Sequence, residues 1–436
     1  MDREIILKLD SMAQGGEAVG RDATGRVVFV PYAIAGEEIR AQVVEEKKGY
    51  ARAHVVEILQ PSPVRIAPRC PHFGPADLST PLPGAPVRTE ERRRGCGGCQ
   101  WQHIAYTAQL KLKADIVREQ FARIAKIPDA PVAETLGMTE PWEYRNHVQF
   151  DLDEDGRLCF RALESHERVP IKECYIQHPL VYEMFRSTEL EGAGYAGVVL
   201  RAGTRTGQKM VVLQGRDHAP PEIEVDEPVS IIYQTPDGST VPLIGREAIH
   251  EELRGRAFRV SPPSFFQVNT SMAERLVDLV EEFLDPRAGE TLLDAFGGVG
   301  TFGLLLAARV ARVIGIEGSA SAMEDARANA VDLTNITFHR GAVEEVLPRL
   351  EAKIDLAVAD PPRAGIDRRA LDALIARGPR AFAYVSCDPA TLARDARRLV
   401  DGGYRLVRVQ PVDMFPQTYH IETVSHFERE TFLTNR

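Results

Sequence analysis

The alternation of apolar and polar positions divides the chain into stretches of different texture. Near the N-terminus, short runs alternate hydrophobic with polar side chains, in the order EIILKL, RVVFVPYAI, EEIRAQVVEE and RAHVVEIL. Glycines between these runs, among them Gly16, Gly25 and Gly36, supply turn signals about every ten residues. Short strands at such intervals are typical of a small closed barrel. We therefore predict a barrel domain over residues 1–62.

The C-terminal stretch has a different pattern. From Pro262 onward, apolar strands alternate with helical segments, in the order SMAERLVDLVEEFL, TLLDAF, a glycine-rich turn and helix, RVIGIE, AMEDARANA, ITFHRG and IDLAVADPP. Strands that alternate with helices indicate a doubly wound, mostly parallel sheet. We predict such a Rossmann-like domain over residues 261–436.

The middle of the chain mixes both textures. Prolines 61, 63 and 68 mark a linker, and a Pro/Gly-rich loop follows. A helix is predicted near Thr107–Ile124, and strands with turns continue to about residue 260. We therefore predict a central α+β domain over residues 63–260 and a multidomain α/β chain.

Composition limits the possible function. Of the 436 residues, 44% are hydrophobic and 27% charged, which excludes wholesale disorder. The sequence shows neither an apolar window long enough for a membrane span nor a signal-peptide pattern, so we expect a soluble cytoplasmic protein. A formal charge of -10 excludes a histone-like polycation.

The net charge changes sign locally between Arg65 and Lys126, a segment that contains eleven basic and five acidic residues. Such a segment favours a local RNA-binding surface, although a solvated charge run is the alternative reading. The candidate phosphate contacts are the segment Arg88–Arg94, with Arg92, Arg93 and Arg94, together with Lys111 and Lys113.

The turn after TLLDAF carries the first candidate chemistry. Gly297-Gly298-Val299-Gly300 lies between a strand and a helix, and the next strand ends at Glu317. A glycine-rich turn with a distal acid is shared by dinucleotide enzymes and S-adenosylmethionine (SAM) methyltransferases, so the turn alone leaves both open. A merely structural turn is the third alternative. Asp360-Pro-Pro-Arg at the end of a later strand favours the methyltransferase.

A candidate nucleophile follows the strand AFAYVS. Cys387 lies between this strand and the helical segment that starts after Asp388, where a helix N-terminus would favour a thiolate. An average cysteine at such a place is more often inert and buried. Glu422, in DMFPQTYHIETV, would by itself be read as a solvated carboxylate.

Six cysteines in so long a chain are too few for a disulfide scaffold. Cys96 and Cys99 form a CxxC turn, Cys70 lies upstream and Cys174 downstream. Four thiolates are the complement of a [4Fe–4S] cluster, but zinc, a redox pair or no bound group fit the same spacing.

Five motifs together resemble the RNA uracil-5-methyltransferase family: DAFGGVGTF, ADPPRAG, YVSCDPATLARD, DMFPQTYHIETV and SFFQVN. The CGGC motif and the predicted barrel resemble the 23S ribosomal RNA branch of that family, which has a TRAM domain, related to oligonucleotide-binding (OB) barrels, and an iron–sulfur domain. The resemblance covers nearly the whole chain.

The resemblance implies SAM-dependent methylation of C5 of a uridine in 23S rRNA. It assigns Cys387 as the nucleophile that adds to C6 of a flipped uracil and Glu422 as the base that removes the C5 proton. The residues implied for SAM and the reacting groups are Gln267, Phe296, Gly298, Glu317 and Asp360. Those implied for a [4Fe–4S] cluster are Cys70, Cys96, Cys99 and Cys174, and Arg145 and Asn146 are implied as RNA contacts.

The chain departs from the family pattern at three places. Asp388 replaces the usual Asn, Phe296-Gly297-Gly298 replaces Tyr-Cys-Gly, and the spacer between Cys70 and Cys96 is longer. A carboxylate beside the nucleophile opposes thiolate formation unless it points away.

Three other functions stay open. A tRNA uracil-5-methyltransferase acting on the T-loop, a non-catalytic RNA-binding assembly factor and a folate-dependent methylase are the alternatives. We expect neither a membrane nor an obligate protein partner.

Overall fold

The structure, a computed structural model, describes residues 3–74, 95–190, 194–223, 225 and 228–430. The chain divides into two compact units. Unit 1 contains Met1–Ile116, Phe150–Tyr175 and Phe415–His420, and unit 2 contains Val117–Gln149, Ile176–Met414 and Ile421–Arg436. The candidate phosphate contacts Arg92, Arg93 and Arg94 lie outside the described residues.

The predicted N-terminal barrel is confirmed. Its strands are β1 (Glu4–Met12), β2 (Ala18–Arg21), β3 (Val27–Val30), β4 (Glu38–Glu46) and β5 (Tyr50–Gln60). They close in the order β1-β2-β3-β5-β4, with β3 and β5 parallel. Alternate residues of β4, such as Ile39, Ala41 and Val43, are buried in the barrel interior, as period-two alternation requires.

The rest of the described part of unit 1 includes a fully buried tryptophan and short strands. Trp101 donates a hydrogen bond from Nε1 to the Gly16 carbonyl at 3.1 Å. Strand β7 (Leu158–Arg161) pairs with β8 (Arg168–Pro170) and with the end of β6 (His147–Leu152), which begins in unit 2.

The predicted helix is observed as α1 (Tyr106–Gln120) followed by a π-helical turn, Phe121–Ala125. Lys113 on α1 is fully buried and donates to the Phe415 carbonyl at 3.2 Å. The prediction that Lys113 contacts phosphate is therefore wrong, because its side chain is buried and its ammonium group donates a hydrogen bond within unit 1. Lys111 is exposed.

Unit 2 contains three groups of strands and its own helices. The first group comprises α2 (Pro179–Ser187), β9 (Tyr195–Ala202), β10 (Lys209–Gly215), β11 (Ser230–Gln234) and β12 (Thr240–Ile244), with the strands hydrogen-bonded in sequence. The hairpin of β13 (Ile249–Leu253) and β14 (Arg256–Val260) follows.

The C-terminal sheet has the order β17-β16-β15-β18-β19-β21-β20. All of its strands run parallel except β21, which is antiparallel to both neighbours. The prediction of a mostly parallel sheet is confirmed for these strands. They are β15 (Thr291–Ala295), β16 (Arg312–Glu317), β17 (Ile336–Arg340), β18 (Leu356–Ala359), β19 (Ala381–Ser386), β20 (Tyr404–Val412) and β21 (Glu422–Arg429).

Helices connect these strands, and every residue of β18 and β19 is buried, as expected of strands covered on both faces. The helices are α3 (Thr270–Leu284), α4 (Thr301–Leu306), α5 (Ala320–Asn329), α6 (Val343–Val346), α7 (Arg368–Arg377) and α8 (Pro389–Asp401). Among the described residues, none of the helices has the length and apolar composition needed to span a bilayer.

Candidate active site

The glycine-rich turn after β15 adopts a left-handed backbone at several positions. Gly298 and Gly300 have φ of 55° and 93°, and Phe296, a non-glycine residue, has φ of 63°. A Cβ added at Gly298 would meet no atom within 4 Å, so the backbone there is open to a ligand. The Gly298 N–H donates to Oε2 of Glu317 at 2.8 Å, which links the turn to the end of β16.

Asp294, which the sequence analysis did not single out, lies directly under this turn. Its Oδ2 accepts the N–H of Gly303 at 2.7 Å, and its Oδ1 has no partner among the described residues. The pKa of Asp294 is raised to about 7, mainly by burial; the Gly303 hydrogen bond lowers it, and the charges of Asp360 and Glu317 contribute to the rise. The sequence TLLDAF shows an acid directly before the glycine turn, but this pattern alone does not identify Asp294 as a functional residue.

Asp360 follows β18 at the carboxyl edge of the sheet. Nε2 of Gln267 donates to its Oδ2 at 3.1 Å, so two residues predicted for the reacting groups are joined. Burial raises the pKa of Asp360, while the Gln267 hydrogen bond lowers it.

Cys387 and Glu422 lie at the ends of adjacent strands. Ser386 of β19 pairs with Thr423 of β21, and the Thr423 hydroxyl donates to the Ser386 carbonyl at 3.1 Å. This register brings Cys387, which follows β19, opposite Glu422, the first residue of β21. Glu422 is only 3% exposed, and its Oε1 has no hydrogen-bond partner in the described part of the chain.

Electrostatics couple the acidic groups of this edge. Burial raises the pKa of the Cys387 thiol to about 12, and the charges of Glu422 and Asp360 contribute in the same direction. Burial also raises the pKa of Glu422 well above its usual range. Arg363, which the sequence analysis noted only as part of a motif, lowers the pKa of both groups and is the principal cation acting on them.

The expected thiolate-favouring field at the start of α8 is not observed. Oδ1 of Asp388 accepts the N–H groups of Ala390 and Thr391 at 3.0 and 2.9 Å, so the carboxylate itself caps the helix. The amides that would have stabilised a thiolate are therefore occupied. The Asp388 charge, although directed at the helix, still adds to the elevated pKa of Cys387.

Comparison with known proteins agrees with this geometry. Residues 242–430 match the family model described as tRNA (Uracil-5-)-methyltransferase, and residues 4–56 match the TRAM domain. An RNA methyltransferase of Streptomyces avermitilis, described as uncharacterized, is 36% identical, and the alignment covers 98% of this chain and 99% of the relative. The chain belongs to the RNA uracil-5-methyltransferase family.

Further relatives agree with this assignment. An RNA methyltransferase of Thermosynechococcus vestitus, also described as uncharacterized, is 34% identical over 97% of both chains. The crystal structure of Pyrococcus abyssi tRNA (uracil-54, C5)-methyltransferase in complex with S-adenosyl-L-homocysteine superposes with a TM-score of 0.75, at 26% identity and over 97% of this chain and 100% of that one. The protein is thus a SAM-dependent RNA (uracil-5-)-methyltransferase, and its N-terminal barrel is a TRAM domain.

The two RNA contacts predicted in the Tyr-Arg-Asn motif of this methyltransferase have different surroundings. Arg145 is half-buried and donates from Nε to the His147 carbonyl at 3.0 Å. Asn146 is 4% exposed and donates from Nδ2 to the Gln267 carbonyl and to the Thr270 hydroxyl, each at 3.1 Å. An exposed aromatic side chain, Phe265, lies two positions before Gln267 and was not predicted; 65% of it faces solvent.

The predicted cluster cysteines of the methyltransferase all belong to unit 1. The Cys96 N–H donates to the His72 carbonyl at 2.7 Å, and Nε2 of His72 accepts the Lys172 N–H at 3.0 Å, so the three cysteine-bearing segments are hydrogen-bonded together. Burial raises the pKa of Cys96 to about 12, and Cys174 and Cys70 add to this.

The thiol of Cys99 is subject to the same charges of Cys174, Cys96 and Cys70. These four thiols therefore lie within electrostatic range of each other. Cys159 stands apart, because the described residues that act on it by charge are Asp153, Arg157 and Arg168, none of them a cysteine. Within the described ranges, no group of three or more His, Cys, Asp or Glu side chains is placed as ligands of one metal ion.

Proposed function

We propose that this methyltransferase modifies C5 of a specific uridine in 23S rRNA by covalent catalysis. The observation that carries the proposal is the pairing of a half-buried thiol, Cys387, with a buried carboxylate, Glu422, at the sheet edge that also carries the open turn at Gly298. A nucleophile, a base and a nucleoside-binding turn at one edge are the three requirements of this reaction.

The chemistry assigns one role to each group. Uracil C5 is a weak nucleophile, and addition of the Cys387 thiolate to C6 converts the base into an enolate. The enolate attacks the methyl group of SAM through C5, and S-adenosylhomocysteine leaves. Glu422 then takes the proton from C5, the C6–S bond breaks, and the thiolate is regenerated. The elevated pKa of Glu422 suits a proton acceptor, because a more basic carboxylate removes a carbon-bound proton faster.

We assign the SAM site to the carboxyl edge between β15 and β18. Gly298 allows close approach of the ligand to the backbone, and Glu317 offers a carboxylate to ribose hydroxyls once its bond to the turn opens. Phe296 lies in the same turn, and we assign the hydrogen-bonded pair of Gln267 and Asp360 to the reacting groups.

Two features support RNA as the substrate: the TRAM barrel and an exposed aromatic side chain in the SFFQVN motif. TRAM and other small barrels bind single-stranded nucleic acid, which supports contacts by residues 1–62. The exposed ring of Phe265 offers a stacking surface for a base close to Gln267. We propose residues 63–260 as the central domain with the cysteines and residues 261–436 as the catalytic domain.

Two RNA substrates compete, and each has one observation in its favour. The TRAM barrel together with four grouped cysteines favours 23S rRNA. The full-length likeness to a tRNA (uracil-54, C5)-methyltransferase favours uridine 54 of tRNA as the second candidate. Mapping of 5-methyluridine in rRNA and tRNA from a deletion strain and from the strain complemented with Cys387→Ala decides between them. Loss from 23S rRNA in both strains supports the proposal, loss from tRNA selects the alternative, and no loss from either contradicts both.

We further propose that Cys70, Cys96, Cys99 and Cys174 bind a [4Fe–4S] cluster. The donor set consists of four thiols, which suits iron and sulfide better than a hard cation. Protein purified without oxygen should contain about four iron and four sulfide per chain, and Cys99→Ser should lose both. Zinc without sulfide in the purified protein would overturn this assignment.

A further inference from the structure

The loop that carries Gln267 is held by a chain of hydrogen bonds. This chain begins at Glu251, a buried acid that is not one of the residues assigned to catalysis or SAM binding. Glu251, on β13, is 2% exposed. Its Oε2 accepts the N–H and the hydroxyl of Thr204 at 2.7 and 2.8 Å, and its Oε1 accepts the Arg205 N–H at 3.0 Å. A carboxylate buried this deeply is stable only where hydrogen-bond donors surround it.

The next link is the hydroxyl of Thr270, the first residue of α3. It donates to Oε2 of Glu251 at 2.8 Å, because a carboxylate can only accept. The Thr204 hydroxyl also lies 2.9 Å from the Thr270 hydroxyl, so Glu251 and these two hydroxyls form one hydrogen-bonded group. Because an amide nitrogen can only donate, the Thr270 oxygen accepts from Nδ2 of Asn146. Glu251, which can only accept, thus anchors the hydroxyl that receives the Asn146 amide.

The amide of Asn146 forms the next link of the chain. Both protons of Nδ2 are used, one toward the Thr270 hydroxyl and one toward the Gln267 carbonyl, each at 3.1 Å. The backbone N–H of Asn146 donates to the Val268 carbonyl at 2.9 Å. Asn146 thus holds the Gln267 loop at two successive carbonyls, while the Gln267 side chain reaches Asp360.

We propose that Asn146 is a positioning residue for Gln267, oriented by Thr270 and Glu251. It acts on the SAM site through Gln267 and does not itself contact RNA. This inference rests on the proposed role of Gln267 as a SAM contact.

The test compares two asparagines that each lose two donated hydrogen bonds. Asn146→Ala removes the bonds to Gln267 and Thr270, and Asn335→Ala removes bonds to the carbonyls of Ala307 and Val310, at 2.9 and 3.2 Å. Binding of S-adenosylhomocysteine is measured by calorimetry, which needs no RNA. We expect Asn146→Ala to weaken binding about three- to tenfold and Asn335→Ala to leave it unchanged.

Steady-state kinetics of the same variants distinguish a positioning role of Asn146 from a loss of folded protein. Asn146→Ala should raise KM for SAM by a similar factor and leave KM for RNA unchanged, whereas partial unfolding would lower kcat alone. Thr270→Val, which keeps the side-chain shape, should change both SAM parameters in the same direction by a smaller factor.

Equal ligand affinity in Asn146→Ala and wild type, or an equal loss in Asn335→Ala, would overturn the inference. A wild type that methylates no RNA but binds S-adenosylhomocysteine would contradict the proposed substrate and leave the binding comparison valid.

Discussion

Replacing Asp388 with Asn tests how charge controls the nucleophile. Oδ1 of Asp388 caps α8 through the N–H groups of Ala390 and Thr391, and an Asn Oδ1 can accept the same two bonds. The substitution therefore keeps the helix cap and removes one of the negative charges that raise the pKa of Cys387. We expect a lower thiol pKa and a more reactive cysteine.

The size of the effect follows from the position of the charge. Asp388 is half-buried, and it ranks behind burial, Glu422, Asp360 and Arg363 in its influence on the thiol. A charge pair of this kind is worth about 0.5 kcal/mol, which corresponds to about 0.4 of a pH unit. The thiolate fraction then rises about 2.5-fold, and the lower nucleophilicity of the less basic thiolate reduces the net gain to about 1.5- to 2-fold.

The assay is alkylation of Cys387 by iodoacetamide in the absence of RNA, followed by mass spectrometry of the modified peptide. Asp367→Asn is the matched control, because Asp367 caps α7 by accepting the Arg369 N–H at 2.8 Å and does not act on the thiol. Each substitution loses a favourable charge–helix interaction of about 0.3–1 kcal/mol. Alkylation of Asp388→Asn at the wild-type rate or slower, or equal acceleration in Asp367→Asn, would refute the reasoning.

Three further outcomes are expected. Glu422→Gln should accumulate a covalent RNA–protein adduct on denaturing gels, because methyl transfer can proceed without the acceptor for the C5 proton; absence of the adduct would contradict its role as base. Since burial raises the pKa of Asp294 from 3.8 to about 7, its protonated form stabilises the fold fully below about pH 4, and this stability is lost as the pH rises through about 7. Melting temperatures of Asp294→Asn should therefore fall less between these pH values than those of the wild type, and parallel curves would exclude this cause. Phe265→Ala should weaken RNA binding about fivefold or more, with SAM affinity unchanged, because base stacking contributes about 1–3 kcal/mol, whereas unchanged RNA affinity would rule out stacking.

Local patterns were sufficient to predict much of the fold. Period-two alternation identified the barrel, and strands alternating with helices identified the C-terminal sheet, because both signals are short-range. The placement of Cys387 at the end of a strand also followed from sequence, since an apolar run ended directly before it.

Other features depended on tertiary contacts that no local pattern encodes. The pairing of β21 with β19 brings Glu422 opposite Cys387, although the two residues are far apart in sequence. Lys113 lies on a helix of mixed polarity, and only packing of the loop at Phe415 decides that it is buried. The field at α8 was misjudged because a capping carboxylate, which the sequence does show at Asp388, takes up the free amides.

The antiparallel strand β21 has a consequence for how this enzyme can change in length. Its backbone ladder to β19, with Ser386 opposite Thr423, sets the spacing between nucleophile and base without any flexible loop. Inserting or deleting one residue inside β21 would turn the base to the other face of the sheet and present a neighbour such as Ile421 or Thr423 in its place. Insertions and deletions in homologues should therefore be rare within β19 and β21, and these two strands should keep a constant length while their side chains vary.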